Sequence, residues 1–134
     1  MSIIRPFPAV RPAKEKAHLI AALPYDVMNS DEAREMVKDN PLSFLHVDKA
    51  EIDLPKEINL YDEKVYQKAK ENLYSLIDNK HLIKEEKPCL YLYQQVMNGH
   101  AQTGLVAGSS IEEYEKDLIK KHEFTRADKE ADRI

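Results

Sequence analysis

His122, Glu123, Thr125, Arg126, Lys129 and Arg133 crowd into the closing stretch "IKKHEFTRADKEADRI", positions 119–134. If Thr125 caps a helix and Asp128 completes the cap, the free backbone N–H groups of the next turn point back toward His122 and Glu123. A helix start of this kind carries roughly +0.5 of a charge and attracts anions. Arg126, Lys129 and Arg133 stand at i, i+3 and i+7, on one face, and His122 at i−4 joins them if the helix runs backward. Together they would hold a phosphate or a carboxylate. Glu123 beside such a site would act as a general base, or hold a metal that bridges to phosphate. The same residues also suit a plain helix surface, with Arg126 or Arg133 facing Glu130 and Lys129 facing Asp132, each pair worth roughly 0.2–0.5 kcal/mol. Residue types alone leave both readings open. The zinc-protease pattern HExxH is excluded, because position 126 is arginine.

Other candidates carry less chemistry. "LPYDV" sets Tyr25 and Asp26 at an element end, where they would line a substrate or where Asp26 would bond its own turn. Glu51 and Asp53, two residues apart in a polar loop, would face the same way in an extended chain and be solvated. His18, His46, His81 and His100 lack ligand spacing, and Cys89 has no second cysteine. The expectation is that no metal site is built. Only three glycines are present, and none forms a phosphate-binding loop.

The elements that must position these residues read as follows. Prolines at 6, 8 and 12 keep any strand in residues 2–12 short or at an edge. The apolar run 18–22 reads as a short strand ended by Pro24. "NSDEAREMVKDNP" reads as a helix capped by Ser30 and stopped by Pro41. "SFLHVDK" reads as a second short strand, and 49–61 as a long loop. Residues 62–80 form the clearest helix, with Val65, Ala69, Leu73, Leu76 and Ile77 at helical spacing. "CLYLYQQVMNGHAQTGLVAGS" reads as a hairpin turning on Asn98-Gly99, since a type I′ turn needs positive φ at both central residues. That register sets Met97 opposite His100, Leu92 opposite Leu105 and Tyr93 opposite Gly104. Both faces carry apolar residues, so the hairpin is expected inside a sheet covered on both sides. Ser110 with Glu113 opens a further helix, and a bend near 122–124 would begin another.

The expected architecture is α/β or α+β. It is a single domain over 1–134 with a small mixed sheet, including the hairpin at about 89–108, and flanking helices. Its 134 residues suffice for one core. A net charge of −4 supplies no basic face for nucleic acid. No long apolar run or leader-like start stands in the sequence, so the reading is a cytoplasmic protein without a membrane partner.

"IIRPFPAVRP", "PYDVMNSDEAR", "NPLSFLHVDKAEIDLP", "QTGLVA" and the closing HE-x-T-R-x-x-K-E-x-D-R block resemble, in order, the N-terminal part of domain-of-unknown-function family 1015. The resemblance implies a longer parent protein, of which this chain is a truncated N-terminal portion, with an Asp-Gly-His-His-Arg motif further on. Leu23 stands where the family pattern has a second proline. The downstream motif is similar to one in free serine kinases of the ParB/sulfiredoxin-like superfamily. The resemblance therefore implies a ParB/sulfiredoxin-like fold and phosphoryl transfer from ADP or ATP, with Mg²⁺, to a small amino-acid-like hydroxyl compound such as serine. On that reading His122, Thr125, Arg126, Lys129 and Arg133 hold phosphate, Glu123 is the base or a Mg²⁺ ligand, and Tyr25 and Asp26 line the substrate side. Two other readings stay open: a nucleotide-binding regulatory module, or a scaffold whose chemistry lies outside this chain. An apolar face left open near Ile134 would be covered by a homodimer that is an artefact of truncation.

Overall fold

The computed structural model describes residues 3–120. The chain divides into two compact units, residues 9–85 and residues 1–8 with 86–134. Helices and small antiparallel sheets place it in the α/β class. Among the described residues the strands form three separate antiparallel pairs, not one mixed sheet.

Strand β1 (Ile4–Arg5) belongs to the other unit; in the 9–85 unit, strand β2 (Val10–Pro12) pairs with β3 (Leu82–Lys84), setting Val10 against Lys84 and Pro12 against Leu82. Between them lie helices α1 (Ala17–Ile20), α2 (Ser30–Val37), α3 (Leu45–Asp48) and α4 (Glu63–Asp78), with 3-10 turns at Tyr25–Val27 and Ala50–Asp53. The strand expected at 18–22 is instead the single helical turn α1, whose Ile20 is buried with Leu76 and Leu82. A run that short carries too little period to separate strand from helix.

The strand expected at "SFLHVDK" is likewise the helix α3. Its spacing has a packing reason. Leu45 enters one core cluster with Ala33, Val37 and Ile52, while Phe44 and Val47 pack on the other with Ile20, Leu76 and Leu82. Positions 44 and 47 share a helical face and 45 points away from it, so α3 is wedged between two cores. The 49–61 stretch is a loop only in part: Ala50–Asp53 forms a 3-10 turn with Ala50, Glu51 and Ile52 buried, while residues 55–57 and 59–61 are exposed.

Helix α2 starts one residue earlier in its cap than Ser30. Asn29 Oδ1 accepts from the N–H groups of Asp31 and Glu32 at 3.0 and 2.9 Å, and Glu32 Oε2 accepts from Asn29 N–H at 2.8 Å. This is a complete capping box, which Ser30 could not make with its partner three residues on, Ala33. Helix α4 lies within residues 62–80 as expected, capped by Asp62, with Val65 and Leu76 buried.

In the other unit, β1 (Ile4–Arg5) pairs with β6 (Gly108–Ser109). Strands β4 (Tyr91–Met97) and β5 (His100–Val106) form the hairpin in the expected register, Met97 to His100, Leu92 to Leu105 and Tyr93 to Gly104. Asn98 and Gly99 have φ of 51° and 77°, as the turn requires. The expected coverage is not found. Leu92, Val96 and Met97 are 79%, 65% and 75% exposed, so both faces lie open among the described residues. Alternating apolar residues specify a pleat, and they do not specify what packs on it. At the base of the hairpin, Phe7 bridges Cys89, the Tyr91 hydroxyl donates to the Phe7 carbonyl at 2.9 Å, and the two rings meet edge-on at 5.3 Å. Helix α5 (Ile111–Glu115) is capped by Ser110, which accepts from Glu113 N–H at 3.4 Å. The Glu113 carboxylate accepts from Ile3 N–H at 3.0 Å, and so ties the chain start to this helix.

Candidate functional site

The polar chemistry of the 9–85 unit converges where α3, the Ala50–Asp53 turn and α4 meet. His46 on α3 holds Nδ1 2.8 Å from Asp53 Oδ1 and Nε2 3.2 Å from the Asn40 carbonyl. Asn72 on α4 donates through Nδ2 to the His46 carbonyl at 2.6 Å and to Asp53 Oδ2 at 2.7 Å. One carboxylate thus fastens three elements. These groups border a cavity of about 400 Å³ whose polar wall includes Ser43, Ser75 and His81.

An aspartate-oriented histidine beside serines has the ingredients of nucleophilic catalysis, which requires the second ring nitrogen to reach the nucleophile. Here that nitrogen faces a backbone carbonyl. The arrangement is a clamp, and it has no free base to offer a serine.

The neighbouring acid is spent in the same way. Glu51 Oε1 accepts from Ser30 Oγ at 2.7 Å and pairs with Lys49 Nζ at 3.1 Å, with both charged side chains nearly buried. Arg34 donates to the carbonyls of Glu51, Ile52 and Leu54 at 2.8, 3.2 and 3.3 Å. The turn that sequence reading left to solvent is therefore held from both sides. No sequence signal announces this, because Glu51 and Asp53 are committed by residues up to twenty-one positions away.

A second cavity of about 400 Å³ opens on the other side of α3. Its wall is mainly apolar, formed by Val10, Ile20, Phe44, Leu73 and Leu82, with Asp48 the one charged lining residue among the described residues. Asp48 keeps one side in solvent, and burial against the apolar wall pushes its carboxyl above the ordinary value of 3.8. The exposed Asp31 is the opposite case, held below 3.8 first by the hydrogen bond from Lys56 and then by its charge.

The consequences for stability have opposite signs. A raised acid binds its proton more tightly in the folded state, so Asp48's contribution is present at low pH and is lost as pH rises from 3.8 through the raised value. Asp31 contributes above 3.8 and loses that contribution as pH falls through its lowered value. Urea midpoints followed against pH are expected to show Asp48→Asn gaining on the wild type as pH rises out of the acid range, and Asp31→Asn losing. Parallel profiles for all three proteins would refute both assignments.

Of the residues nominated from sequence, Tyr25 and Asp26 are described. They stand on the exposed 3-10 turn that follows Pro24, a few residues beyond Ala21 and Ala22, which line the apolar cavity. His122, Glu123, Thr125, Arg126, Lys129 and Arg133 lie outside the described residues. Among the described residues, no three His, Cys, Asp or Glu side chains converge as a metal site requires. No described helix is long and apolar enough to cross a membrane.

No curated protein and no solved structure matches the chain. The order of blocks from "IIRPFP" to "KEADRI" does find a match, continuous over residues 4–134, and by it the chain belongs to the family described as Protein of unknown function (DUF1015).

Proposed function

We propose that this protein takes part in phosphate- or nucleotide-dependent phosphoryl transfer to the hydroxyl of a small amino-acid-like metabolite, serine being the first candidate. The observation that carries the reading is the chemistry of the closing block. A histidine and an acid stand one residue before a threonine-initiated run that bears three cations. Phosphoryl transfer needs positive groups to spread the charge of the transferring phosphoryl and a carboxylate to take the hydroxyl proton. His122, Thr125, Arg126, Lys129 and Arg133 supply the first, and Glu123 the second. ADP or ATP with Mg²⁺ is the donor to try, and Tyr25 and Asp26 are placed on the substrate side.

The described polar residues favour the tail as the site of chemistry. His46, Glu51 and Asp53 already face partners within the 9–85 unit, so none is left to act on a substrate without undoing a contact that holds the unit together. A kinase-like ParB/sulfiredoxin-like arrangement belongs to this proposal.

The test incubates the whole gene product with L-serine, Mg²⁺ and either ADP or ATP, and follows O-phosphoserine by phosphorus NMR. Phosphoserine is the expected product. If none forms with either nucleotide, and none is consumed when the reaction is run backward from O-phosphoserine, serine is the wrong acceptor. If a panel of other hydroxyl-bearing amino acids also fails, the phosphoryl-transfer reading falls.

A further inference from the structure

The apolar cavity on the α3 side of the 9–85 unit joins three features. It is concave and sizeable, about 400 Å³. Its wall is hydrocarbon from Val10, Ile20, Leu73 and Leu82, with an aromatic ring from Phe44. Among the described residues its one ionisable lining group is the solvent-facing Asp48, and no lysine, arginine or histidine lines it there.

Phe44 and Asp48 are four residues apart, joined by the helical hydrogen bond from Asp48 N–H to the Phe44 carbonyl at 3.0 Å. Side chains at that spacing lie on one helical face. Phe44 is itself tied down, its N–H donating to the Ile20 carbonyl at 2.9 Å. Phe44 and Asp48 both line this cavity, from one backbone held by these hydrogen bonds.

An aromatic face attracts a cation through its quadrupole, and a carboxylate attracts it through charge. The surrounding hydrocarbon would desolvate an apolar body attached to that cation, and would offer nothing to an anion. We propose that this cavity is a binding site for a small organic ammonium ion with a compact apolar body, its cationic head set between Phe44 and Asp48 and its body against Ile20, Leu73 and Leu82. The site stands independently of the phosphoryl-transfer reading, since no residue is shared between them.

The carboxylate supplies the selectivity. A neutral molecule of the same shape would fill the hydrocarbon wall equally well, and it would gain nothing from Asp48. An anion of that shape would be repelled.

The experiment titrates the isotope-labelled full chain at pH 7 with benzylammonium, benzyl alcohol and phenylacetate, reading amide shifts by NMR. Benzylammonium is expected to move the amides of α1, α3 and β3 saturably, with benzyl alcohol about tenfold weaker and phenylacetate without effect. Asp48→Asn is expected to bring benzylammonium down to the level of benzyl alcohol, with the rest of the spectrum unchanged. Equal affinity for the ammonium and the alcohol on the wild type would overturn the proposal, as would an unmoved spectrum at millimolar benzylammonium. Should Asp48→Asn fail to fold, the comparison of the three probes on the wild type decides by itself.

Discussion

Glu123→Gln is expected to lower the rate of phosphoserine formation by about 10²–10⁴, the usual contribution of a positioned general base. The carboxamide keeps the size and hydrogen-bonding reach of the glutamate, but it cannot take the proton that the serine hydroxyl must lose as its oxygen attacks phosphorus. The loss is expected in kcat, with the KM for nucleotide little changed, because removing a group that acts in the transition state leaves ground-state binding in place. His122→Ala, assigned to phosphate holding, is expected to raise the nucleotide KM as well. The contrast separates a chemical role from a binding one. Near-wild-type kcat in Glu123→Gln, measured on folded protein, would remove Glu123 from the mechanism, and unchanged kinetics in both variants would remove the tail from it.

The second large effect concerns the fold. Glu51→Gln is expected to destabilise the 9–85 unit by about 3 kcal/mol, at the lower end of the range for breaking one side of a buried ion pair. Glutamine can still accept from Ser30 Oγ, as Glu51 Oε1 does now at 2.7 Å. It cannot neutralise Lys49, whose side chain is 11% exposed and whose ammonium lies 3.1 Å from the carboxylate. The cost is therefore that of a stranded lysine, and it should be reversible at the lysine. Adding Lys49→Met to Glu51→Gln is expected to restore most of the lost stability, read as the urea midpoint at unchanged m-value. A loss below about 1 kcal/mol in the single variant, or no recovery in the double, would show that the pair is solvated and does not bear on the unit's stability.

The turn and register of the hairpin were legible, though what packs on it was not. Asn98-Gly99 demands positive φ at both positions, and a two-residue turn leaves one register for the strands that flank it. Helix α4 was legible because sixteen residues give the 3.6-residue period room to declare itself. Helices α1 and α3 were not, since four residues of mostly apolar sequence fit a strand as well as a turn of helix. In α3 the decision came from the two clusters on either side, which need Leu45 on one flank and Phe44 with Val47 on the other. The N-cap of α2 was expected one residue late, at Ser30, because Asn29 and Ser30 both cap well and only Asn29 has a glutamate three positions on.

The family could be read from the order of short blocks, and the chain does belong to it. The polar residues that organise the 9–85 unit could not be read. Glu51 and Asp53 are acids in a proline-flanked stretch, where solvation is the ordinary expectation. They became structural through Ser30, Arg34 and Asn72, which approach from other elements.

By itself, then, the sequence determined the turn, the Ser110 cap, the long helix and the membership of the family. Each of these rests on interactions among residues close along the chain, or on the chain's own order of blocks. Tertiary structure decided which short runs became helix, which acids were buried, and that Asp48 would stand alone against a hydrocarbon wall. The physical reason is that burial, and with it the strength of every charge and hydrogen bond, belongs to what packs around a residue and not to the residue itself.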